Sequence, residues 1–361
     1  MNIDFNAERW DRIREVYGKW WRGELGRPLI PVVLRGRDPG RAQPAAPYLT
    51  QQTCADLTIP AEDIVDRIEY ELSKVYYLGD AFPNFNMDCF GPGVAAAFMG
   101  ARLDNSKGRV WFKPEKIVPI KELSFKYDPD NIWLNRVKDI CRAAMKRWKG
   151  NIILGMPDLG GTLDILSTFR PGENLLLDLY DDPEDVKRLV WEIHHLWHRY
   201  YQEINEVMRP VNPGYVDWAH IFCDSPSYVP QCDFAYMLGP EMFDEFVLPE
   251  LEATCKRLSH TIYHLDGVGQ LNHLDSLLGI KELDAVQWVP GDGKPGQTHW
   301  PEVYQKIAAA GKKIQIWEGF EGLKIISGQI GTSKGIHVTD IWGDISQKAE
   351  MQRLLDQYGV E

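Results

Sequence analysis

Apolar positions along the chain fall into short blocks spaced alternately for helices and for strands. Trp10, Ile13, Val16, Tyr17, Trp20 and Trp21 recur at helical spacing, and the segment stops in the glycine- and proline-bearing stretch 23–28. Leu29 to Leu34 then reads as a short buried strand. Residues 63–78 read as a helix, 80–88 as an irregular strand, and 100–127 as an excursion around Val110-Trp111-Phe112, either a lid or an edge hairpin. A regular alternation follows. A helix over 131–149 precedes an apolar run from Ile152 to Asp158, and a helix over 161–179 comes next. The long helix opened by Pro183 carries Leu189, Ile193, Leu196, Trp197, Tyr200, Ile204 and Val207 as one stripe. Further apolar runs span 215–223, 261–267, 285–289, 313–317 and 335–340. Helices are predicted over 240–258 and from Pro301 to Gly311, and a closing helix is capped by Ser346.

Eight strand candidates separated mostly by helices, with no strong linker, predict an α/β fold. The expectation is a single (β/α)8 TIM barrel over 29–361 with an N-terminal helical extension over 1–28. No Gly-x-Gly-x-x-Gly follows the first strand, so a doubly wound dinucleotide-binding sheet has no support. No internal repeat is present.

Composition narrows the function classes. With 361 residues, 44% of them hydrophobic, the chain can bury a large core, and its formal charge of -12 disfavours nucleic acid and anionic membrane surfaces as partners. No stretch approaches the roughly 20 apolar residues of a membrane span, and the first residues carry acids rather than the apolar core of a signal peptide. A cytoplasmic location is therefore expected. Six cysteines without a Cys-x-x-Cys predict reduced thiols rather than a disulfide frame.

Loops after the C-terminal ends of barrel strands are where such a scaffold keeps its chemistry. The residues expected there are Arg35, Arg37 and Arg41 after the first strand, Asp88 after the second, Asp158 after the third and Asp224 with Cys223 after the fourth. His264 and Asp266 follow the fifth, Asp292 the sixth, Glu318 the seventh, and His337 or Asp340 the eighth. His-x-Asp on a strand points both side chains to one face, so both can reach one metal ion, with His337 or Glu318 as the third ligand. The plainer reading has His264 donating to a carbonyl and Asp266 capping a helix. The three arginines suit carboxylates or phosphate in fork geometry, or a solvated basic loop. Trp288, Trp317 and Trp342 either wall a pocket for a flat or methylated ligand or pack between strands and helices.

Three segments are similar to the uroporphyrinogen decarboxylase superfamily: 84–100 with its Phe90-Gly91-Pro92-Gly93, 172–183, and 238–249. That superfamily also contains zinc-dependent methyltransferases that serve corrinoid proteins. His264-Leu265-Asp266-Gly267 resembles the methyltransferases' His-x-Cys-Gly zinc motif with aspartate in place of the thiolate, and His337 stands near their late ligand. Arg37-Asp38-Pro39-Gly40-Arg41 and Asp88 resemble the decarboxylases' carboxylate clamp and pyrrole-binding aspartate. Their late Gly-His-Gly is absent. The resemblance implies metal-assisted methyl transfer, with zinc or another divalent ion, a methylated or methoxylated small-molecule substrate and a corrinoid protein as partner. The catalytic residues would be Asp88, Asp224, His264 and Asp266, the metal ligands His264, Asp266, His337 and Glu318, and the substrate contacts Arg35, Arg37, Arg41, Asp158, Trp288 and Trp317. The alternatives are metal-free decarboxylation of a carboxylated substrate, and tetrapyrrole or corrinoid binding without turnover. A homodimer is compatible with either.

Overall fold

The computed structural model describes residues 2–361, a mixed α/β arrangement built on parallel sheets. Twelve strands occur in chain order: β1 (Pro31–Arg35), β2 (Val75–Gly79), β3 (Asn84–Phe85), β4 (Arg102–Asp104), β5 (Trp111–Lys113), β6 (Ile153–Leu154), β7 (Ser227–Tyr228), β8 (His260–Asp266), β9 (Ala285–Val289), β10 (Lys313–Ile316), β11 (Ile336–Val338) and β12 (Ile341–Asp344). The main sheet has the order β11-β10-β9-β8-β7, all pairs parallel. Its strands are largely buried on both faces, as expected where helices cover a parallel sheet. β1 joins it through Leu29, whose backbone exchanges hydrogen bonds with Ile336 and Val338 at 2.9 and 3.0 Å. β3 pairs with β6 in parallel, and Met156 N–H donates to the Val216 carbonyl one step further.

Four of the expected helices change. The helix expected over 63–78 ends at Leu72, because the Ser73 hydroxyl donates to the Tyr70 carbonyl and Val75-Tyr76-Tyr77 continues as β2, antiparallel to β1. The helix over 161–179 is two helices, Thr162–Phe169 and Asn174–Asp181, divided at Arg170-Pro171-Gly172, where proline excludes Arg170 from helical backbone. The helix over 240–258 likewise divides at Val247, two residues before Pro249, whose missing N–H cannot continue the preceding ladder. The closing segment is capped by Asp344, whose carboxylate accepts from Ser346 N–H, and Lys348–Gln357 follows.

The run 215–223 is not a strand. It folds back on itself, Tyr215 pairing antiparallel with Cys223, and Asp217 closes the tip by accepting from Ala219 N–H at 2.9 Å. The base of this hairpin rests on the first helix, Ala7–Trp21. Phe222 lies against Trp10 and Tyr17, and Trp21 Nε1 donates to the Phe222 carbonyl at 2.9 Å. Trp10, Ile13, Tyr17, Trp20 and Trp21 also pack on Leu29, Phe82, Ile153, Ile262 and Ala285, near the starting ends of several strands. The first helix thus shares a core with the strands. Val110 to Lys113 belongs to the β4–β5 hairpin, paired antiparallel. No described helix is long and apolar enough to cross a membrane.

Candidate functional site

His264 and Asp266 leave the C-terminal end of β8 on one face, and Asp233 joins them from the single-turn helix Asp233–Met237 that follows β7. One ligand atom from each of the three lies within 4.8 Å of the others. The meeting follows from register: Gln231 bridges to His264, so two residues later Asp233 stands beside Asp266. Asp164 fixes that turn, accepting from the N–H groups of Asp233 and Phe234 at 3.0 and 2.8 Å.

A row of side chains runs outward from His264 across four strands. His264, Gln287, Gln315 and His337 occupy one register line on β8, β9, β10 and β11. The Ala219 carbonyl sets the direction of the row, because a carbonyl only accepts and Gln315 Nε2 donates to it at 2.6 Å. Gln315 Oε1 therefore faces Gln287 and takes its amide hydrogen, which turns Gln287 Oε1 towards His264. His264 must then carry its proton on Nδ1. Its Nε2 is left facing Asp266 Oδ2 at 3.7 Å, with Asp233 nearby.

Two electron-rich carboxylates around an imidazole lone pair repel unless a proton or a metal ion lies between them. Burial works against charging His264, but Asp266 and Asp233 overcome it and hold the imidazole above its usual range. The neighbouring acids are raised as well, with burial as the largest cause. Burial pushes the Asp158 and Asp164 carboxyls up to about 7, with Asp233 adding to both, and raises Asp233 itself. The ring of His264 is bracketed by Trp218, edge-on at 4.9 Å, and by Trp317, near-parallel at 6.5 Å. A cleft of about 360 Å³ opens over Asp233 and Asp266, bordered by Tyr236, Asp292 and Lys294.

The other sequence candidates are distributed as follows. Asp158 lies beside this acidic group, its carboxylate accepting from Gly160 N–H at 2.9 Å and its carbonyl holding Gly93 and Val94. Trp317 is at the site and half exposed. Trp288 is fully buried against Trp300 and walls no cleft. Glu318 turns away: its carboxylate accepts from the N–H groups of Gln297 and Thr298. His337 is also not the third member of the trio. It is fully buried, accepts from Gln315 on Nδ1 and faces Tyr17 and Trp20, and burial lowers it to about 3. Asp224 precedes β7, so it sits where the strands begin, at the opposite end from His264, bonded to its neighbour Ser225.

The three arginines also separate. Arg37 donates to the Ser73 carbonyl and to Asn2, and Arg41 pairs with Asp66 and Glu69, so both are spent inside the protein. Arg35 lies over the Trp342 ring at 5.2 Å and lines a separate cleft of about 600 Å³ with Arg67, Lys74 and Tyr48. Asp88 opens to solvent beside His220; partial burial raises its carboxyl while His220 pulls it down.

Asp233, Asp164, Gln287, Trp218 and His220 were not singled out in the sequence. Gln287 and Gln315 carried a signal: a glutamine in the middle of an otherwise apolar strand needs a buried partner. No protein-family model matches the chain, and no curated protein matches it either.

Proposed function

We propose that this chain is a methyl-transferring enzyme of the uroporphyrinogen decarboxylase superfamily in which Asp233, His264 and Asp266 hold a divalent cation, zinc first among them. One observation carries this reading: the direction of the Ala219–Gln315–Gln287 row keeps the His264 proton on Nδ1 and turns Nε2 towards two carboxylates. Three ligands with an open side towards solvent are the usual donor set of a catalytic rather than a structural zinc. Gln287 supplies the outer bond that orients a metal-ligating histidine. A bound cation there would act as a Lewis acid on a substrate heteroatom. The chain's own part is to fix the ligands, to shield one side of the site with Trp218 and Trp317, and to leave a cleft above them for a methoxylated or methylated small molecule.

The fold we read into this is a (β/α)8 barrel with the site at its C-terminal mouth. It is supported by the parallel order β7 to β11, the Leu29 bonds to β11, and the β3–β6–Val216 succession. A methyl donor or acceptor of this class implies a corrinoid protein as partner. Six buried, unpaired thiols accord with a reducing, cytoplasmic setting. Decarboxylation by an Arg37–Arg41 clamp has less support, since both guanidinium groups already have carboxylate or carbonyl partners within the protein.

Elemental analysis and zinc titration of the full chain test the reading, compared with Asp233→Asn, His264→Ala and Asp266→Ala. About one ion per chain is expected, lost in each variant while the thermal midpoint stays cooperative. A wild-type protein that retains no zinc, cobalt or manganese would mean that a proton alone bridges the trio, and the metal reading falls.

A further inference from the structure

Next to the trio stands a second constellation that the metal reading does not use. His220 is at the tip of the 215–223 hairpin, two residues from the Trp218 that touches His264 and one from the Ala219 carbonyl that orients the glutamine row. Its backbone φ is 58°, a left-handed conformation that a histidine adopts only where the surroundings demand it. Two elements hold the ring: Asp340, just after β11, places Oδ2 3.0 Å from Nδ1, and Asn86, just after β3, places its amide 2.8 Å from Nε2. About a third of the side chain remains open to solvent.

The amide of Asn86 shows the protonation state. With its nitrogen towards Nε2, its oxygen is buried with no hydrogen-bond partner among the described residues, on the side where Gly155 leaves room for it. A buried acceptor without a donor is destabilising, because its lost hydration is not replaced. Oxygen and nitrogen of an amide are distinguished only by such partners. Turned over, Asn86 offers its oxygen to Nε2 and leaves no acceptor unpartnered. Nε2 must then carry a proton, and the Asp340 carboxylate, 3.0 Å from Nδ1 as an ion-pair contact, favours a second one there. The charges around His220 agree: Asp340, Asp88 and Asp217 face it, while buried His337 is a basic neighbour that stays neutral. Burial opposes the charge, and the three acids outweigh it to hold the imidazole above its usual range.

We propose that His220 is the proton donor of this mouth, a doubly protonated imidazole clamped between Asp340 and Asn86 that releases its Nε2 proton to a substrate heteroatom. The identity of that atom rests on the methyl-transfer reading. When the bond between the methyl carbon and an oxygen or sulfur breaks, both electrons stay on the heteroatom. The methyl passes to a reduced corrinoid, and the heteroatom takes the proton from Nε2 in the place where the Asn86 oxygen had been. One N–H bond is lost and one O–H or S–H bond is formed, leaving neutral His220 on Asp340. Loss of such a donor costs about 10²–10⁴-fold in rate for a poor leaving group.

The test follows the imidazole nitrogens of the full-length protein by NMR from pH 5 to 9, with the His220 signals assigned by their loss in His220→Gln. The expected result is a His220 that carries both protons at neutral pH and titrates above the ordinary histidine range, dropping by about one to three units in Asp340→Asn. A His220 that is neutral at pH 7, or one that Asp340→Asn does not move, overturns the proposal. Thermal unfolding of both variants separates this from loss of fold. Zinc titration of His220→Gln should match wild type; failure of wild type to bind zinc would sink the metal reading and leave the His220 titration to be judged by itself.

Discussion

His264 donates through Nδ1 to the side-chain oxygen of Gln287, and that bond decides which nitrogen of the imidazole faces Asp233 and Asp266. Gln287→Leu removes the acceptor, frees the ring to take the other tautomer and leaves Gln315 without its donor. Zinc affinity should fall by about 10–100-fold, as for other outer partners of ligating histidines. A competitive zinc titration measures it, and an unchanged affinity would show that the glutamine row does not orient the ligand.

Gly161 precedes the helix Thr162–Phe169, and a Cβ built there would lie 2.1 Å from the Gln231 carbonyl and 2.6 Å from Asp164 Oδ2. Both neighbours position Asp233. Gly161→Ala is expected to lower stability by about 1–3 kcal/mol and to weaken metal binding together with it. Gly239 has nothing within 4 Å of its Cβ position and serves as the control; Gly239→Ala should stay within about 0.5 kcal/mol of wild type. Urea unfolding of the two variants compares them.

His337 is held at about 3 by burial. The unfolded chain takes up this proton near pH 6.5 and the folded chain only near 3, so stability is undiminished above pH 6.5 and is lost as pH falls through that window. At most about 4–5 kcal/mol is at stake, at 1.36 kcal/mol per unit. His337→Gln keeps an acceptor for Gln315 and should flatten the acid limb of the stability curve between pH 6 and 4. A curve as steep as that of wild type would exclude His337 as a source.

Asp158 behaves in the reverse way. Its carboxyl is raised to about 7 chiefly by burial, so the unfolded chain ionises near 3.9 while the folded one stays protonated. The penalty is absent below about pH 4, grows with pH and is complete above about 7. Asp158→Asn keeps the acceptor that Gly160 N–H needs and should therefore stabilise the protein at pH 8 while changing little at pH 4. Thermal midpoints at the two pH values decide it, and equal shifts at both would contradict the raised carboxyl.

How much of this was legible in the chain differs by element. The long stripe from Leu189 to Val207, the Pro301 helix and the runs at 261–267, 285–289 and 313–317 follow from periodicity, and each matches an observed helix or strand. β7 was hidden because Pro226 and two serines interrupt its apolar pattern, and the more apolar 215–223 was preferred although its Asp217 closes a turn. At the site, His264 and Asp266 could be found because two residues apart on one strand is a local relation. Asp233 could not, since its place depends on the β7–β8 register, which pattern alone does not fix. Glu318 and Arg41 illustrate the converse: their positions in the chain suit a mouth, and their side chains are drawn away by Gln297 and Asp66.

The helix Ala7–Trp21 supports the hairpin from below, and the hairpin's tip carries Trp218, Ala219 and His220 to their three separate partners. These contacts amount to a mechanical prop. A variant trimmed of its first 22 residues would lose no residue of either cluster, yet both would go out of adjustment, the glutamine row losing its fixed end and His220 its seat. The hairpin's height over the strands is set by Phe222 packing tilted on Trp10 and edge-on to Tyr17, so the start of the chain acts as the tuning screw for the two clusters at the tip.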